Sequence, residues 1–398
     1  FSFHTRYMKA QRSVAEMQYS FYFPGKEEKP MKKSNMKKIL AVILTGAMAV
    51  GMLAGCGSSS KASSASGDGS AKKLNLMMWD GDCSEKVVKD FEKKYGVDVN
   101  ITYIEDTNEM LSKMINSKQD YDVIDLESAY VKAFEDAGLL EKLDKDSMDN
   151  LKYVDQDTFM AKGSGPIGDE DFTYTIPISG PLYTCIVYNK KTCPKKITSF
   201  ADLADPAFKG QICSVNATIS LYAEALRACG YPIGSTDDKE LAKAQELLKK
   251  FKKNVKSFVG SSALSQLESG ECSVALCWDY NYLCADSEKY WDEFDIVPVT
   301  GLGYTQNWAI AKSSTRKDLA TEFINFTYQP EEQAKTLNEY GGVPIIKKTD
   351  IADKLADNYY DNPCVTKYTE MWKDNEMLCT TDEQISKMDD LYNELMSE

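Results

Sequence analysis

Beyond residue 73 the apolar positions fall into short runs of two kinds. Leu74–Trp79 (LNLMMW) is a compact apolar run that reads as a buried strand and stops at Asp80-Gly81-Asp82. Over Ser84–Tyr95, Val87, Val88, Phe91 and Tyr95 recur at helical spacing, with Ser84 placed to cap the helix and Gly96 to end it. Val97–Ile104 alternates as a strand does. Asn108–Ile115 reads as a helix, Val123–Leu126 as a buried strand and Ala129–Leu140 as another helix. Three strand-to-helix alternations predict a parallel sheet covered on both faces.

Tyr174–Ile178 and Leu182–Tyr188 are strand-like runs split by Gly180-Pro181, the expected crossover between two lobes. The pattern then repeats. Ile212–Val215 reads as a strand, and Asn216 is expected to cap a helix running through Ala223, Leu226 and Ala228 to Gly230. Lys239–Lys252 is a long amphipathic helix and Ser273–Cys277 a buried strand. Asp295–Val299 and Trp308–Ala311 follow as strands, the second returning to the first lobe. Arg316–Tyr328 and Pro330–Tyr340 read as helices. Leu74–Glu398 spans 325 residues, long for one core. The expected division is 74–178 with 305–346 as lobe 1, and 179–304 with 347–398 as lobe 2.

Ahead of this body, Lys32, Lys33, Lys37 and Lys38 precede an apolar run, Ile39–Leu53, that ends in Leu53-Ala54-Gly55-Cys56. A basic start, a short apolar stretch and small residues at a cleavage point make residues 31–55 a secretory signal. The run is too short for the roughly 20 residues of a spanning helix. Its end resembles the bacterial lipobox, which implies lipidation of Cys56. Residues 56–73, rich in Gly and Ser, read as a flexible tether. The expected location is the cell surface, anchored to the outer face of the cytoplasmic membrane. Residues 1–30 show no clear period and read as an upstream extension. They contain His4, the chain's single histidine, so the body lacks Ser-His and Cys-His pairs and imidazole metal sites.

Charge and cysteine content narrow the classes further. After residue 55 the chain carries 38 Lys+Arg against 58 Asp+Glu, a net of −20, which disfavours nucleic acid as a partner. Apart from Cys56 there are ten cysteines and no C-x-x-C pair. Cys213, Cys272 and Cys277 sit in apolar runs, so mostly buried, reduced thiols are expected.

Four stretches together carry a family resemblance. Thr198–Gly210 (TSFADLADPAFKG) follows the pattern TSWxDLxxPxYKG, and Leu267–Glu271 (LESGE) runs into Val274–Trp278 (VALCW). Phe323–Phe326 (FINF) is followed by Gln329-Pro330, and Asn100–Lys113 is followed by Tyr121-Asp122. With these the body resembles the type II extracellular solute-binding proteins of ABC importers, in their spermidine/putrescine-binding branch. The resemblance implies an α/β, two-lobed periplasmic-binding-protein-like fold with mixed, mostly parallel sheets and a cleft between the lobes. It also implies ABC permease subunits as partners, a small amine as solute, a monomer, and neither cofactor nor catalysis.

In open α/β sheets ligands sit beyond the carboxyl ends of the strands. There the resemblance places Trp79 as a ligand contact, followed by Asp80 and Asp82, and puts Glu127 and Ser128 at the end of the third strand. Trp278 matches a second stacking indole and is followed by Asp279. Tyr304 and Gln306 lie where the family has an aromatic and an acid. Two acids that the family places after the Ile212 strand are Ala217 and Ser220 here, beside Asn216. That change leaves a helix N-terminus suited to an anion. A polyamine is the first expectation, with a thiamine-type cation or a zwitterion as competitors. Two further classes remain open: a cysteine-dependent enzyme on this scaffold using Cys83, Cys185 or Cys277, and an adhesion or sensory lipoprotein with an empty cleft.

Overall fold

The computed structural model describes residues 72–397, apart from 105–106, 117–119, 261, 279, 287, 298–301, 368–375 and 378–380. The leader, Cys56, the tether as far as residue 71, and Asp279 therefore lie outside the described residues.

The chain opens with β1 (Lys72–Trp79), β2 (Val97–Ile104), β3 (Val123–Glu127), β4 (Leu140–Glu141) and β5 (Thr175–Pro177). It crosses over through β6 (Leu182–Tyr183) and continues with β7 (Cys185–Asn189), β8 (Ile212–Val215), β9 (Val255–Val259), β10 (Val274–Cys277) and β11 (Phe294–Val297). It returns through β12 (Leu302–Tyr304) to β13 (Gln306–Ala311). One sheet has the order β2-β1-β3-β13-β4, with β5 also on β13, and the other the order β11-β7-β10-β8-β9. The parallel pairs β1–β2 and β1–β3 match the alternation read from sequence. Within the expected α/β class the pairing is more evenly mixed than the sequence suggests. β13 arrives from the other half and runs antiparallel to β3, β4 and β5, as β7 does to β10 and β11.

Among the helices are α1 (Glu85–Tyr95), α2 (Thr107–Asn116), α3 (Val131–Asp136), α4 (Thr218–Ala228), α5 (Asp238–Lys252), α6 (Ala263–Glu268), α7 (Tyr280–Cys284), α8 (Lys317–Thr327), α9 (Pro330–Tyr340) and α10 (Asp382–Ser397). α1 forms as its sequence predicts. The Ser84 hydroxyl accepts from the Lys86 amide at 3.1 Å, and Gly96, at φ 64°, closes the helix through its N–H to the Glu92 carbonyl. Phe91 then packs edge-on against Phe323 and Phe326, with centroids 5.1 and 5.5 Å apart. The expected helix Ala129–Leu140 is shorter. A 3-10 turn, Ser128–Tyr130, leads into α3, which ends where Gly138 turns left-handed, and Leu140 becomes strand β4 opposite Ala311. β9 and α10 have no counterpart in the sequence reading.

The strand pleat sorts the cores. Leu74, Leu76 and Met78 face one core of the first sheet and Met77 the other. In the second sheet Ile186, Ile212, Val274 and Leu276 face one core, whereas Cys185, Val187, Cys213, Ala275 and Cys277 face the other. Ile351, Leu355 and Tyr359 pack into the first sheet's core, although the sequence reading assigns the range 347–398 to the second lobe. The apolar side chains of 351–359 have their matching surface there, beside Ile345 and Ile346.

Candidate functional site

Strand register fixes which edges of the two sheets face each other's connections. β6 and β12 pair antiparallel, Tyr183 opposite Gly303 and Leu182 opposite Tyr304, and with the short strand Glu376–Met377 parallel to β12 they form a three-stranded ribbon that joins the halves. β13 begins immediately beyond this ribbon, with Gln306 opposite Glu127. The end of β3, and that of the parallel β1, therefore lie on the ribbon side. β7 likewise begins beyond the ribbon, with Cys185 opposite Cys277, so β10 and the parallel β8 also end there. One edge thus carries Trp79, Asp80, Asp82, Glu127 and Gln306, and the other Asn216 and Trp278, with Tyr304 in the ribbon itself. These are the carboxyl ends at which α/β sheets take ligands.

The acids on the first edge have a partner that sequence reading missed. Asp125, in the middle of β3, is fully buried and lies close enough to the Asp82 carboxyl for each to shift the other's ionisation, while its Oδ2 accepts from the Trp79 amide at 3.2 Å. Burial pushes the Asp82 carboxyl up to about 6, with the neighbouring Asp125 carboxyl opposing the rise and the Asp80 charge adding to it. Asp125 is raised further, first by burial and then by the Asp82 charge. Two carboxyls this close cannot both ionise cheaply, so the pair takes up a proton more readily than isolated acids do. A charged residue inside the run VIDLE was the signal that could have revealed it.

Asp80 is exposed, and partial burial of its carboxyl followed by the Glu85 charge raises it. Its own charge helps to hold up the phenols of Tyr103 and Tyr340, each raised first by burial. Tyr103, opposite Met78 and 45% exposed, thus adds an aromatic face beside Asp80 that the sequence reading lacked. Trp79 is half-buried. Its Nε1 and the Gln306 Oε1 are buried polar atoms with no hydrogen-bond partner among the described residues. Trp278 is 37% exposed, unusual for so large an apolar ring.

Other expected contacts have structural engagements. The Ser128 hydroxyl accepts from the Thr305 amide at 3.1 Å, and the Ser128 amide donates to the Thr305 carbonyl at 2.8 Å, fastening β3 to the returning strand. Ala217, which has no capping group, is the N-cap of α4, and the Asn216 Oδ1 one residue earlier accepts from the Tyr392 hydroxyl on α10. Asn216 therefore does not cap the helix as expected, and Ser220 lies buried in its first turn. Asp279 lies outside the described residues. Cys83, Cys185 and Cys277 are all buried. Burial, then the Asp125, Asp82 and Glu332 charges, push the Cys83 thiol far above the range of a nucleophile.

Two sheet-centred halves joined by a crossing ribbon, with the strand ends gathered on the ribbon side, define a two-lobed binding protein. The sequence agrees: residues 86–363 match the family of bacterial extracellular solute-binding proteins, and the chain belongs to that family, which binds solutes rather than converting them. The spermidine/putrescine-binding periplasmic protein of Escherichia coli is 28% identical over 261 residues, covering 65% of this chain and 73% of the relative. The putrescine/cadaverine-binding protein of Pseudomonas aeruginosa is 28% identical over 293 residues, covering 69% and 80%. In fold, the TpPotD lipoprotein of Treponema pallidum superposes with a TM-score of 0.70 at 20% identity, covering 81% of this chain and 99% of that one.

Proposed function

We propose that this protein is the lipid-anchored receptor of an ABC importer. It captures a small cationic amine, with a polyamine such as putrescine or spermidine as first candidate, by closing its two halves over the ligand. The observation that carries this reading is the Asp82–Asp125 pair beside Trp79. The influences acting on these carboxyls are burial, backbone hydrogen bonds and other acids, so an ammonium group brings the counter-charge they lack. The unpartnered Gln306 Oε1 adds an acceptor for an ammonium N–H, and the Trp278 face adds cation–π attraction of about 0.5–2 kcal/mol. Named relatives that bind spermidine, putrescine or cadaverine support the same ligand class.

Closure about the ribbon gives permease subunits a shape to recognise, and Cys56 keeps the receptor at the cell surface. A second reading has one specific support. The N-terminus of α4 lacks a side-chain cap, and a zwitterion could set its carboxylate there. A thermal-shift screen with putrescine, spermidine, cadaverine, thiamine, choline and amino acids separates the readings. A ligand at 100 times its dissociation constant stabilises the protein by about 2.7 kcal/mol. A shift with diamines supports the first reading, a shift confined to zwitterions supports the second, and no shift with any amine removes both. Replacing Cys56 by Ser should move the exported protein from the membrane to the soluble fraction.

A further inference from the structure

Six of the cysteines gather in the core on one face of the second sheet: Cys185, Cys213, Cys272, Cys277, Cys284 and Cys364, all buried. They are thiols in this structure. Cys185 and Cys277 are directly opposed on the antiparallel strands β7 and β10, with their Sγ atoms 3.6 Å apart. Directly opposed residues have Cα atoms about 4.5–5.5 Å apart, within the roughly 4.4–6.8 Å that a disulfide spans. In the same core Cys213 lies near enough to Cys272 for each to influence the other's ionisation, and so does Cys284 to Cys364.

We propose that these six thiols are three pre-positioned dithiols that close to the disulfides Cys185–Cys277, Cys213–Cys272 and Cys284–Cys364 when the protein meets a small-molecule disulfide. The assignment is independent of which solute the cleft takes.

The chemistry starts most readily at Cys213. Its thiol accepts a hydrogen bond from the Ser257 hydroxyl at 3.4 Å and lies near Cys272 and the Lys256 charge. These influences, led by the neighbouring Cys272 thiol, bring it down to about 7 against the opposing effect of burial. Cys213 is buried, so the oxidant reaches it when the core opens locally, and the Cys213 thiolate then attacks one sulfur of the oxidant, breaking its S–S bond and releasing one thiolate. The Cys272 thiol then loses its proton to solvent and attacks the mixed disulfide, releasing the second thiolate. Two protein thiols are oxidised and one disulfide is reduced to two thiols, and each other pair follows the same balance.

All three bridges bracket one stretch of chain. Cys272 lies just before β10, Cys277 at its end and Cys284 at the end of α7, with Trp278 displayed between the last two. Closing them fastens the segment that carries the exposed indole to β7, β8 and the chain around Cys364.

The test uses the intact protein incubated with oxidised glutathione at pH 8, then unfolded, alkylated with iodoacetamide and mapped without reduction. The expected result is three linked peptide pairs with these partners and no alkylation at the six positions. The thermal midpoint should also rise by roughly 5–10 °C, reversibly with dithiothreitol. Alkylation at any of the six, or linkage to Cys83, Cys193 or Cys229 instead, overturns the proposal. A Cys213→Ser variant provides a second check. It should alkylate at Cys272 while keeping the other two linkages, and scrambled linkages in it also count against the assignment.

Discussion

The backbone amide of Trp79, at the end of β1, donates to the buried carboxyl of Asp125 in the centre of β3 at 3.2 Å, and Asp125 sits beside the Asp82 carboxyl of the turn that follows β1. The contact ties a strand end that faces the ribbon to a buried acid, and it makes protonation part of how this edge behaves.

Burial raises Asp82 from 3.8 to about 6, so the folded protein holds this proton more tightly than the unfolded chain does. Its contribution to stability is full below about pH 3.8 and is lost as the pH climbs through about 6. Asp82→Asn should therefore gain stability relative to the wild type on going from pH 4 to pH 7, by on the order of 1–3 kcal/mol. Urea midpoints across that range check this, and a difference that does not change with pH rules it out.

An ammonium group docked beside Asp82 favours the ionised carboxyl, so binding a diamine should release a proton at mildly acidic pH. Affinity should rise by roughly tenfold from pH 5 to 7 and level off above. Calorimetry in two buffers of different ionisation enthalpy measures the released proton directly. Proton uptake would contradict the site.

The two indoles should separate binding from folding. Trp278 is exposed, so Trp278→Ala should cost less than about 1 kcal/mol of stability yet weaken amine binding by tenfold or more. Trp79 is half-buried, so Trp79→Ala should lose both affinity and about 2–4 kcal/mol of stability. Titrations and denaturation curves of the two variants, read together, decide this.

Two acids within the family-like stretches serve the fold. Asp202 Oδ2 accepts from the Thr198 amide at 2.7 Å, the Thr198 hydroxyl at 2.8 Å and the Ser199 amide at 2.9 Å, organising the turn at Phe200–Ala204. Asp122, fully buried, accepts from the Asn75 amide at 2.8 Å, the Ser314 hydroxyl at 2.6 Å and Arg316 at 2.9 Å. Asp202→Ala should cost about 1–2 kcal/mol and Asp122→Ala about 3–5 kcal/mol. Neither should change amine affinity at a temperature where the variant is folded. An affinity loss in a fully folded variant would place these acids in the binding machinery.

Features that depend on neighbours a few residues apart are legible along the chain. α1, with Ser84 before it and Gly96 after it, follows from apolar spacing and cap chemistry, and α9 occupies the Pro330–Tyr340 range that its pattern predicts. The alternation of strands and helices implies the α/β class, and the strand ends point to Trp79 and Trp278. Relations between distant segments emerge only in the folded molecule. Leu140 reads as the end of a helix, but Gly138 stops α3 and Ala311 is there to pair with it. Asn216 reads as a cap until α10 brings Tyr392 to it. Asp125 comes to lie beside Asp82, and six scattered cysteines share one core, because distant segments are folded onto one another. Short-range periodicity fixes which face a residue occupies, whereas its partner on that face comes from a distant segment that no local pattern records.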